Sequence, residues 1–366
     1  MNNKVQPLPQ SVEAQSIRTM EEGLSSPSMA DPVLWSEFRA TILRNPGMMA
    51  KNTMKAYAGQ FRAFNAWCEQ NNVDSLPALD VTVSDYINHL LDLGAIGRLK
   101  IESIEQACKA INFVHIQSSV PSPLREKHSS NARKAARRSL CAARAKKLPI
   151  RLDEGSGHIT LSQLVEHLPN SLKGARDRAL LSVGFDLGVR SEELVSLRLS
   201  DIDWRSGDAI VLIERGKTDQ EGRGKYRYLS SEATSDLKHW LELAGIDPQH
   251  GLYIDDCGYV FRQVSRHGVC LNRKISRQTL SVVIKQAGEL AGLSLNQIEK
   301  LGTHSLRRGH SHELYRRRPD VLTIMKEMGW SRIETAMEYL GDIEAEEGMA
   351  AEMLRLKRPS KEKTGD

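Results

Sequence analysis

A short segment near the middle of the chain, LPIRLDEGSGHIT, interrupts the helical pattern that dominates the sequence on both sides of it. It contains Pro149 and the glycine-rich stretch 155–157. Both residue types end helices, because proline has no backbone N–H to donate and glycine loses the most conformational freedom on ordering. At 366 residues the chain is long enough for two domains that each bury a core. We therefore expect an interdomain linker at 148–158.

The part of the chain before this linker is predicted to be all helical. Residues 1–30 contain three prolines, several serines and little apolar periodicity, so we expect a disordered arm there. Helical spacing begins at Asp31, and a helix that starts at Asn52 as its cap places a stripe of aromatic residues on one face. We expect a helical domain over 31–147.

The last helix of this domain is strongly basic. Residues 129–147 contain no acidic residue, and the spacing of several basic side chains by three or four positions directs much of the charge to one side. Two interpretations stay open, a face that lies along phosphates and an exposed helix without a partner. The basic residues are Arg133, Lys134, Arg137, Arg138, Arg144, Lys146 and Lys147.

The second domain, 159–366, is predicted to be mixed. Helices are expected at 160–168 and 173–187, followed by short strands at 202–204, 209–213 and 225–229 around a glycine-rich loop, and helix in the remainder. The fold class is therefore mainly α, with an all-helical first domain and a mixed α/β second domain that is mostly helical and holds a small antiparallel sheet.

Composition excludes several classes of protein. The chain has 40% hydrophobic residues and a net charge of +5, and it has no apolar run near the roughly 18 residues of a membrane span. The N-terminus resembles neither a secretory signal nor a transit peptide. Five scattered cysteines without a CxxC pair argue against a disulfide framework or a zinc site, and we expect a cytoplasmic protein with reduced thiols.

Two basic clusters have the composition of a phosphate-binding site. Arg190 follows a glycine turn, and Glu193 lies one helical turn further on. His304 and Arg307 are three residues apart, which places both on one face of a helix start. An ordinary surface ion pair is the commoner fate of an arginine such as Arg190. His310 and His312 make a metal site conceivable, but they lack a matching carboxylate.

A phenol that attacks a phosphodiester needs help from other groups. The nonbridging oxygens must be neutralised, the leaving oxygen protonated and the nucleophile oriented. Lys217 lies in the glycine-rich loop between two strands. Gly329 and Trp330 are predicted to start a helix, and Tyr339 lies nine residues after the tryptophan. Arginine suits the phosphate clamp because its planar fork makes two charge-assisted bonds to phosphate oxygens.

The ordered set R190…K217…H304-x-x-R307…W330…Y339 resembles the signature of the tyrosine recombinase (phage integrase) family, and most of all its Cre-type site-specific recombinases. The similarity extends to residues 52–72 and to the tail that begins at Gly329, and it covers most of 50–355. The resemblance implies a DNA strand transferase that needs no cofactor and no metal.

The resemblance also implies a role for each residue. Arg190, His304 and Arg307 would bind the scissile phosphate, and Trp330 would hydrogen-bond the same group. Lys217 would protonate the departing 5′ oxygen, although Lys225 lies in the same hairpin. Glu193 would orient the site, and Tyr339 would hold the 3′ phosphate covalently.

By the same resemblance the two domains would form a C-shaped clamp on inverted-repeat DNA. Four protomers would join two duplexes through a Holliday junction, each docking its C-terminal helix, residues 344–356, into a neighbour. The amphipathic pattern of 344–356 alone fits a helix packed within its own chain equally well. A type IB topoisomerase and a non-catalytic helical DNA-binding regulator are the alternatives. Groove-contacting helices would carry the DNA-binding residues Met54, Lys55, Gln60, Arg133, Lys134, Arg137, Arg138, Lys274, Ser276, Arg277 and Gln278.

Overall fold

The computed structural model describes most of the chain and divides it into two compact units. The units are Met1–Arg144 and Ala145–Asp366. The structure describes residues 27–45, 47–140, 147–152, 158–213, 224–247, 257–318, 320–347 and 353.

The described part of the first unit consists of helices. Its core forms where their apolar faces meet, around Phe61, Phe64, Ile87, Ile104 and Ile111. The helices are α1 (Pro32–Arg44), α2 (Lys51–Asn71), α3 (Asp80–Ala95), α4 (Ile101–Gln117) and α5 (Lys127–Leu140).

The helix boundaries follow local capping chemistry. The Asp31 side chain accepts from the backbone N–H groups of Val33 and Leu34, which fixes the start of α1. Asp80, the first residue of α3, accepts from two backbone N–H groups at the start of α5. The predicted cap Asn52 is wrong, because the N-cap of α2 is Ala50, two residues earlier, and it makes no side-chain capping hydrogen bond.

The second unit contains nine of the described helices. They are α6 (Leu161–Glu166), α7 (Leu172–Leu187), α8 (Ser191–Val195), α9 (Ser231–Leu243), α10 (Arg277–Leu290), α11 (Leu295–Lys300), α12 (Thr303–Arg317), α13 (Val321–Met328) and α14 (Ile333–Glu347).

Within the described residues, three small sheets accompany these helices. Strands β3 (Ile202–Trp204), β4 (Ala209–Ile213) and β5 (Lys225–Leu229) form an antiparallel sheet with the predicted bounds. Two further pairs were not predicted. A two-residue parallel pair joins β1 (Ile150–Arg151) to β2 (Ile159–Thr160), and an antiparallel pair joins β6 (Arg262–Val264) to β7 (Cys270–Lys274). The expected linker therefore contains a buried strand, β1.

Helix α7 lies at the centre of the main core of this unit. Its residues are buried on nearly every side, which agrees with the weak amphipathicity of its sequence. A side chain on Gly309 of α12 would collide with the Ile150 carbonyl, since a Cβ there would lie 1.6 Å from that oxygen. The glycine therefore lets β1 cross directly against α12.

A separate, smaller core holds the last two described helices. Ile324, Met328, Ala336, Leu340 and Ile343 are buried together and do not belong to the main core. The expected helix start at Gly329 is wrong. Gly329 ends α13 in a left-handed conformation (φ 64°), and α14 begins at Ile333.

Each helix among the described residues is either too short or too polar to span a bilayer.

Candidate active site

Arg190 projects from a rigid junction between α7 and α8. Gly188 ends α7 with a φ of 56°, and a side chain there would strike the His310 ring. The Arg190 backbone N–H donates to Glu193 Oε2 at 2.8 Å, and its Nη1 donates to Glu193 Oε1 at 2.9 Å. Glu193 therefore holds both the backbone and the guanidinium of Arg190, whose side chain stays 31% exposed.

Arg307 is more deeply buried than Arg190, and only 3% of it is exposed. Its Nη1 donates to the Gly188 carbonyl at 2.6 Å, and its Nη2 donates to the Met328 carbonyl. Burial, reinforced by the positive charge of Arg190, lowers the pKa of Arg307 to about 10. The side chain therefore remains charged at neutral pH, and two backbone carbonyls fix its position.

His304 and Tyr339 come together from helices α12 and α14. The Tyr339 hydroxyl lies 3.3 Å from His304 Nδ1. Burial lowers the pKa of His304, and the positive charges of Arg307 and Arg190 lower it further. The imidazole is thus favoured in its neutral form, which can accept a hydrogen bond from a phenol.

Trp330 fills the space between the arginine and the tyrosine. Its ring centroid lies 4.8 Å from that of Tyr339, and the Arg307 guanidinium lies 5.9 Å from the Trp330 ring. The side chain is buried in the smaller core. The structure thus brings Arg190, Glu193, His304, Arg307, Trp330 and Tyr339 into one connected region.

The hairpin of β4 and β5 carries the two lysines that the resemblance offers as proton donors to the 5′ oxygen. Lys217 lies outside the described residues. Lys225, on β5, donates from Nζ to the Lys326 carbonyl at 3.1 Å, near the end of α13. Lys225 is therefore engaged with the helix that precedes Trp330.

The residues expected to contact DNA from the first unit have different environments. Met54 is 7% exposed and belongs to the core, so the expectation that it reaches a DNA groove is wrong. Arg133 and Arg137 both pair with Glu105 at 2.7 Å, and they lower its pKa against the effect of burial. Gln60 is half-buried, and Lys55, Lys134 and Arg138 are exposed.

Two of the corresponding residues of the second unit, Lys274 and Arg277, pair with Glu192. Lys274 Nζ lies 3.2 Å from Glu192 Oε1, and Arg277 Nε lies 3.1 Å from Glu192 Oε2. Lys274 is the last residue of β7, and Ser276 caps α10 by accepting from the Thr279 N–H. Arg277 and Gln278 are exposed at the start of α10, which begins directly after its cap Ser276.

Three residues near the site have contacts that the sequence does not predict, although His312 is considered above as a metal ligand. Arg227, which pairs with Glu327 at 2.6 Å, is close enough for its charge to lower the pKa of Arg307. Arg308 and His312 contact the backbone of α14. A spacing of four places two residues on one helix face, but it does not show what that face contacts.

The histidines that suggested a metal site point to different neighbours. His310 packs edge-on against Phe185, with ring centroids 6.1 Å apart, whereas His312 Nε2 lies 2.8 Å from the Tyr339 carbonyl oxygen. Within the described residues, no group of three or more histidine, cysteine, aspartate or glutamate side chains is arranged to hold a metal ion.

Comparison with known sequences gives a consistent set of relatives. The model of the phage integrase family matches residues 158–345. The integrase/recombinase xerD homolog of Selenomonas ruminantium is 29% identical over 288 residues, which are 76% of this chain and 78% of that protein. Recombinase cre of Escherichia phage P1 is 23% identical over 323 residues, which are 86% and 90% of the two chains.

Comparison with solved structures shows a related fold. A XerH site-specific recombinase bound to a palindromic difH substrate, in a post-cleavage complex, matches with a TM-score of 0.59 and 17% identity, over 98% of this chain and 99% of that one. A lambda integrase dimer bound to a COC′ core site matches with a TM-score of 0.51 and 16% identity, over 83% and 93% of the two chains.

Proposed function

This chain belongs to the phage integrase family and is a tyrosine recombinase that acts on DNA at specific sites, and from that premise we propose that Tyr339 is its nucleophile. The observation that carries the assignment is the 3.3 Å approach of the Tyr339 hydroxyl to His304 Nδ1, beside the buried charge of Arg307. A phenol placed between a neutral imidazole and fixed cations has both a proton acceptor and an electrostatic partner for the phosphate.

The cleavage step follows from these groups. The Tyr339 oxygen forms a bond to phosphorus as the bond from phosphorus to the 5′ oxygen breaks, and the phenolic proton passes to His304. Arg190 and Arg307 neutralise the nonbridging oxygens, with Trp330 as a further hydrogen-bond donor. Glu193 orients Arg190 through the two bonds described above.

The leaving 5′ oxygen takes a proton from Lys217. We favour Lys217 over Lys225 because Lys225 already donates to the Lys326 carbonyl. A substrate with sulfur in place of the 5′ bridging oxygen tests the choice, since a thiolate leaves without protonation. The variant that lacks the general acid is rescued by sulfur. Rescue of Lys225→Ala instead of Lys217→Ala reverses the assignment.

Rejoining needs no external energy source. The phosphotyrosyl bond keeps the energy of the broken phosphodiester, so a 5′ hydroxyl of another strand can attack it and release Tyr339. In this proposal the reaction requires neither ATP nor a metal ion, and it proceeds in EDTA.

Target recognition would involve both units. Lys134 and Arg138 on α5 would contact phosphates, and Arg277 and Gln278 at the start of α10 would read base edges in the major groove. Arg133 and Arg137 pair with Glu105, and Arg277 pairs with Glu192, so each of these arginines would have to exchange a carboxylate for a DNA group. Inverted half-sites, a synaptic tetramer and a Holliday junction intermediate complete the proposed cycle.

The C-terminal tail is the proposed link between protomers. Met353 is exposed, and the other residues after Glu347 lie outside the described residues. A chain that ends at Asp342 is expected to bind a single site and to fail in recombination. Normal recombination by this truncated protein would contradict the exchange of tails.

The function is tested by selecting bound DNA from a random pool and converting the selected site into a suicide substrate. In EDTA, the wild-type protein is expected to become attached to the 3′ phosphate, and Tyr339→Phe is expected to bind equally well without attachment. Selection of an inverted repeat and exchange between two such sites support recombination.

Each alternative has its own signature in this assay. Relaxation of supercoiled DNA without any target preference indicates a type IB topoisomerase. Binding without a covalent adduct in the wild-type protein indicates a DNA-binding regulator and removes Tyr339 as the nucleophile.

A further inference from the structure

Helix α12 contacts the backbone of the nucleophile's helix at two consecutive residues. Arg308 Nη2 donates to the Glu338 carbonyl at 3.2 Å. His312 Nε2 lies 2.8 Å from the Tyr339 carbonyl oxygen. Because a carbonyl can only accept, the imidazole must carry its hydrogen on Nε2. The two donors are four residues apart, so they act side by side from one face of α12.

Both donors are buried, so a lost hydrogen bond would leave a donor without a partner in the protein interior. Arg308 is 6% exposed and His312 is 1% exposed. The carbonyls they reach lie inside α14, where each oxygen has a second lone pair beyond the one used by the helix. The Arg308 guanidinium also lies 5.8 Å from the centre of the Tyr339 ring. The contacts therefore converge on the residue whose hydroxyl must reach the phosphate.

The packing around α14 explains why such contacts are needed. Its apolar side chains belong to the smaller core, which is separate from the core that supports Arg190. Leu314 and Tyr315 of α12 pack against the smaller core, but apolar contacts are tolerant of small shifts along a helix. Hydrogen bonds to the carbonyls of Glu338 and Tyr339 have preferred distances and angles, so they fix the position of α14 along its axis and its rotation about that axis.

We propose that Arg308 and His312 are positioning residues that hold Tyr339 at attacking distance from the phosphate. The inference rests on the proposed role of Tyr339 and assigns these two residues to the nucleophile, not to the phosphate site. A displacement of about 1 Å at a reacting atom can slow a reaction about 100-fold.

Two reactions separate the positioning of Tyr339 from the binding of phosphate. The first is single-turnover formation of the covalent adduct on the selected site, which needs Tyr339. The second joins a 5′-hydroxyl strand to a strand that ends in a 3′-p-nitrophenyl phosphate. There the 5′ oxygen bonds to phosphorus, p-nitrophenolate leaves and the hydroxyl proton passes to solvent. Run in the Tyr339→Phe background, where no phenol can displace p-nitrophenolate first, this joining reaction uses the phosphate-binding groups but not the tyrosine.

The proposal predicts different outcomes in the two reactions. His312→Leu and Arg308→Met are expected to slow adduct formation about 10- to 100-fold, with joining and DNA affinity unchanged within about 2-fold. His312→Gln keeps a donor near the position of Nε2 and is expected to recover most of the rate. Arg317→Met, at an exposed arginine of the same helix, is the matched control and leaves both reactions unchanged.

Several results would overturn the proposal. Equal losses in both reactions would assign Arg308 and His312 to the phosphate site or to folding, and unchanged adduct formation would leave them without a role. A His312→Gln protein that melts like the wild type but stays as slow as His312→Leu would also contradict it. Failure of the wild type to form any adduct would count against the role of Tyr339 itself, and is distinguishable from all of these.

Discussion

The two faces of helix α12 connect the site to two kinds of structure. On one face, Arg307 and His310 meet the end of α7, which is buried in the main core. On another, Arg308 and His312 meet α14, which belongs to the smaller core. Of the groups assigned to the phosphate, Arg190 and Arg307 thus meet the end of α7 on the large core, whereas Trp330 and the nucleophile belong to the small one.

This difference matters because the two tasks place different demands on the protein. A phosphate clamp must be preorganised, since donors that reorganise during the reaction lose much of their effect. The nucleophile must approach, react and be released again. An element with its own small core is joined to the rest by fewer apolar contacts and opens at a lower free energy than an element of the main core.

The largest effect is expected from a substitution of Arg307, because this residue hydrogen-bonds to both regions. Arg307→Lys keeps a positive charge but cannot reach the Gly188 and Met328 carbonyls as a rigid fork does. We expect a loss of roughly 100- to 1,000-fold in adduct formation, as for removal of a preorganised donor. The joining of the p-nitrophenyl ester should fall by a similar factor, because that reaction also needs the phosphate clamp.

Two controls sharpen this result. Arg317→Lys, on the same helix, is expected to leave both rates unchanged. Tyr339→Phe should abolish the adduct while retaining the joining reaction. If Arg307→Lys slowed adduct formation alone, Arg307 would serve the nucleophile's helix and not the phosphate.

A pair of glycines tests the packing of the two regions. A Cβ on Gly309 of α12 would lie 1.6 Å from the Ile150 carbonyl, whereas a Cβ on Gly341 of α14 would meet nothing within 4 Å. Gly309→Ala should lower the free energy of unfolding by about 3 kcal/mol, because the collision is with backbone that cannot move aside cheaply. Gly341→Ala should raise it by up to about 1 kcal/mol through better helix propensity.

Hydrogen–deuterium exchange locates these effects. Gly309→Ala should accelerate exchange in peptides from β1 and α12, and Gly341→Ala should slow it in α14. Equal stability of the two variants would show that β1 does not press against α12 as closely as the structure has it.

The sequence was informative where a local signal determined the structure. The strands β3, β4 and β5 have the expected bounds, because alternating residues and a glycine-rich loop are local signals. Arg190 was correctly placed after a glycine turn, since Gly188 has the positive φ that favours glycine. The grouping of Arg190, His304 and Tyr339 came from the family resemblance and not from spacing.

Errors arose where a residue had two possible interpretations. Gly329 beside Trp330 predicts a helix start, although a glycine after a periodic apolar stretch is also a typical C-terminal cap, which is its role here. Met54 is predicted to contact DNA, although it shares the spacing of the buried residues Phe61 and Phe64. The contacts of Arg308 and His312 depend on tertiary packing, which helix periodicity does not reveal.

The smallest expected effect concerns the histidine on the main-core side of α12. Burial, reinforced by the nearby charges of Arg227 and Arg307, lowers the pKa of His310 from 6.5 to about 4. The unfolded chain therefore binds a proton at a higher pH than the folded one. The stability that neutral His310 contributes is complete above pH 6.5 and is lost as the pH falls toward 4, by at most about 3 kcal/mol.

His310→Phe removes this titration and keeps a ring against Phe185. Urea unfolding at several pH values should show that the wild type loses more stability than the variant between pH 6.5 and 4, whatever their difference at pH 8. Adduct formation above pH 7 should change little, because His310 faces the core and is neutral there. An equal loss in the free energy of unfolding of both proteins would mean that groups other than His310 account for the acid sensitivity. In that case the face of α12 toward the main core would accept a protonated His310 as readily as the face toward α14 accepts a charge.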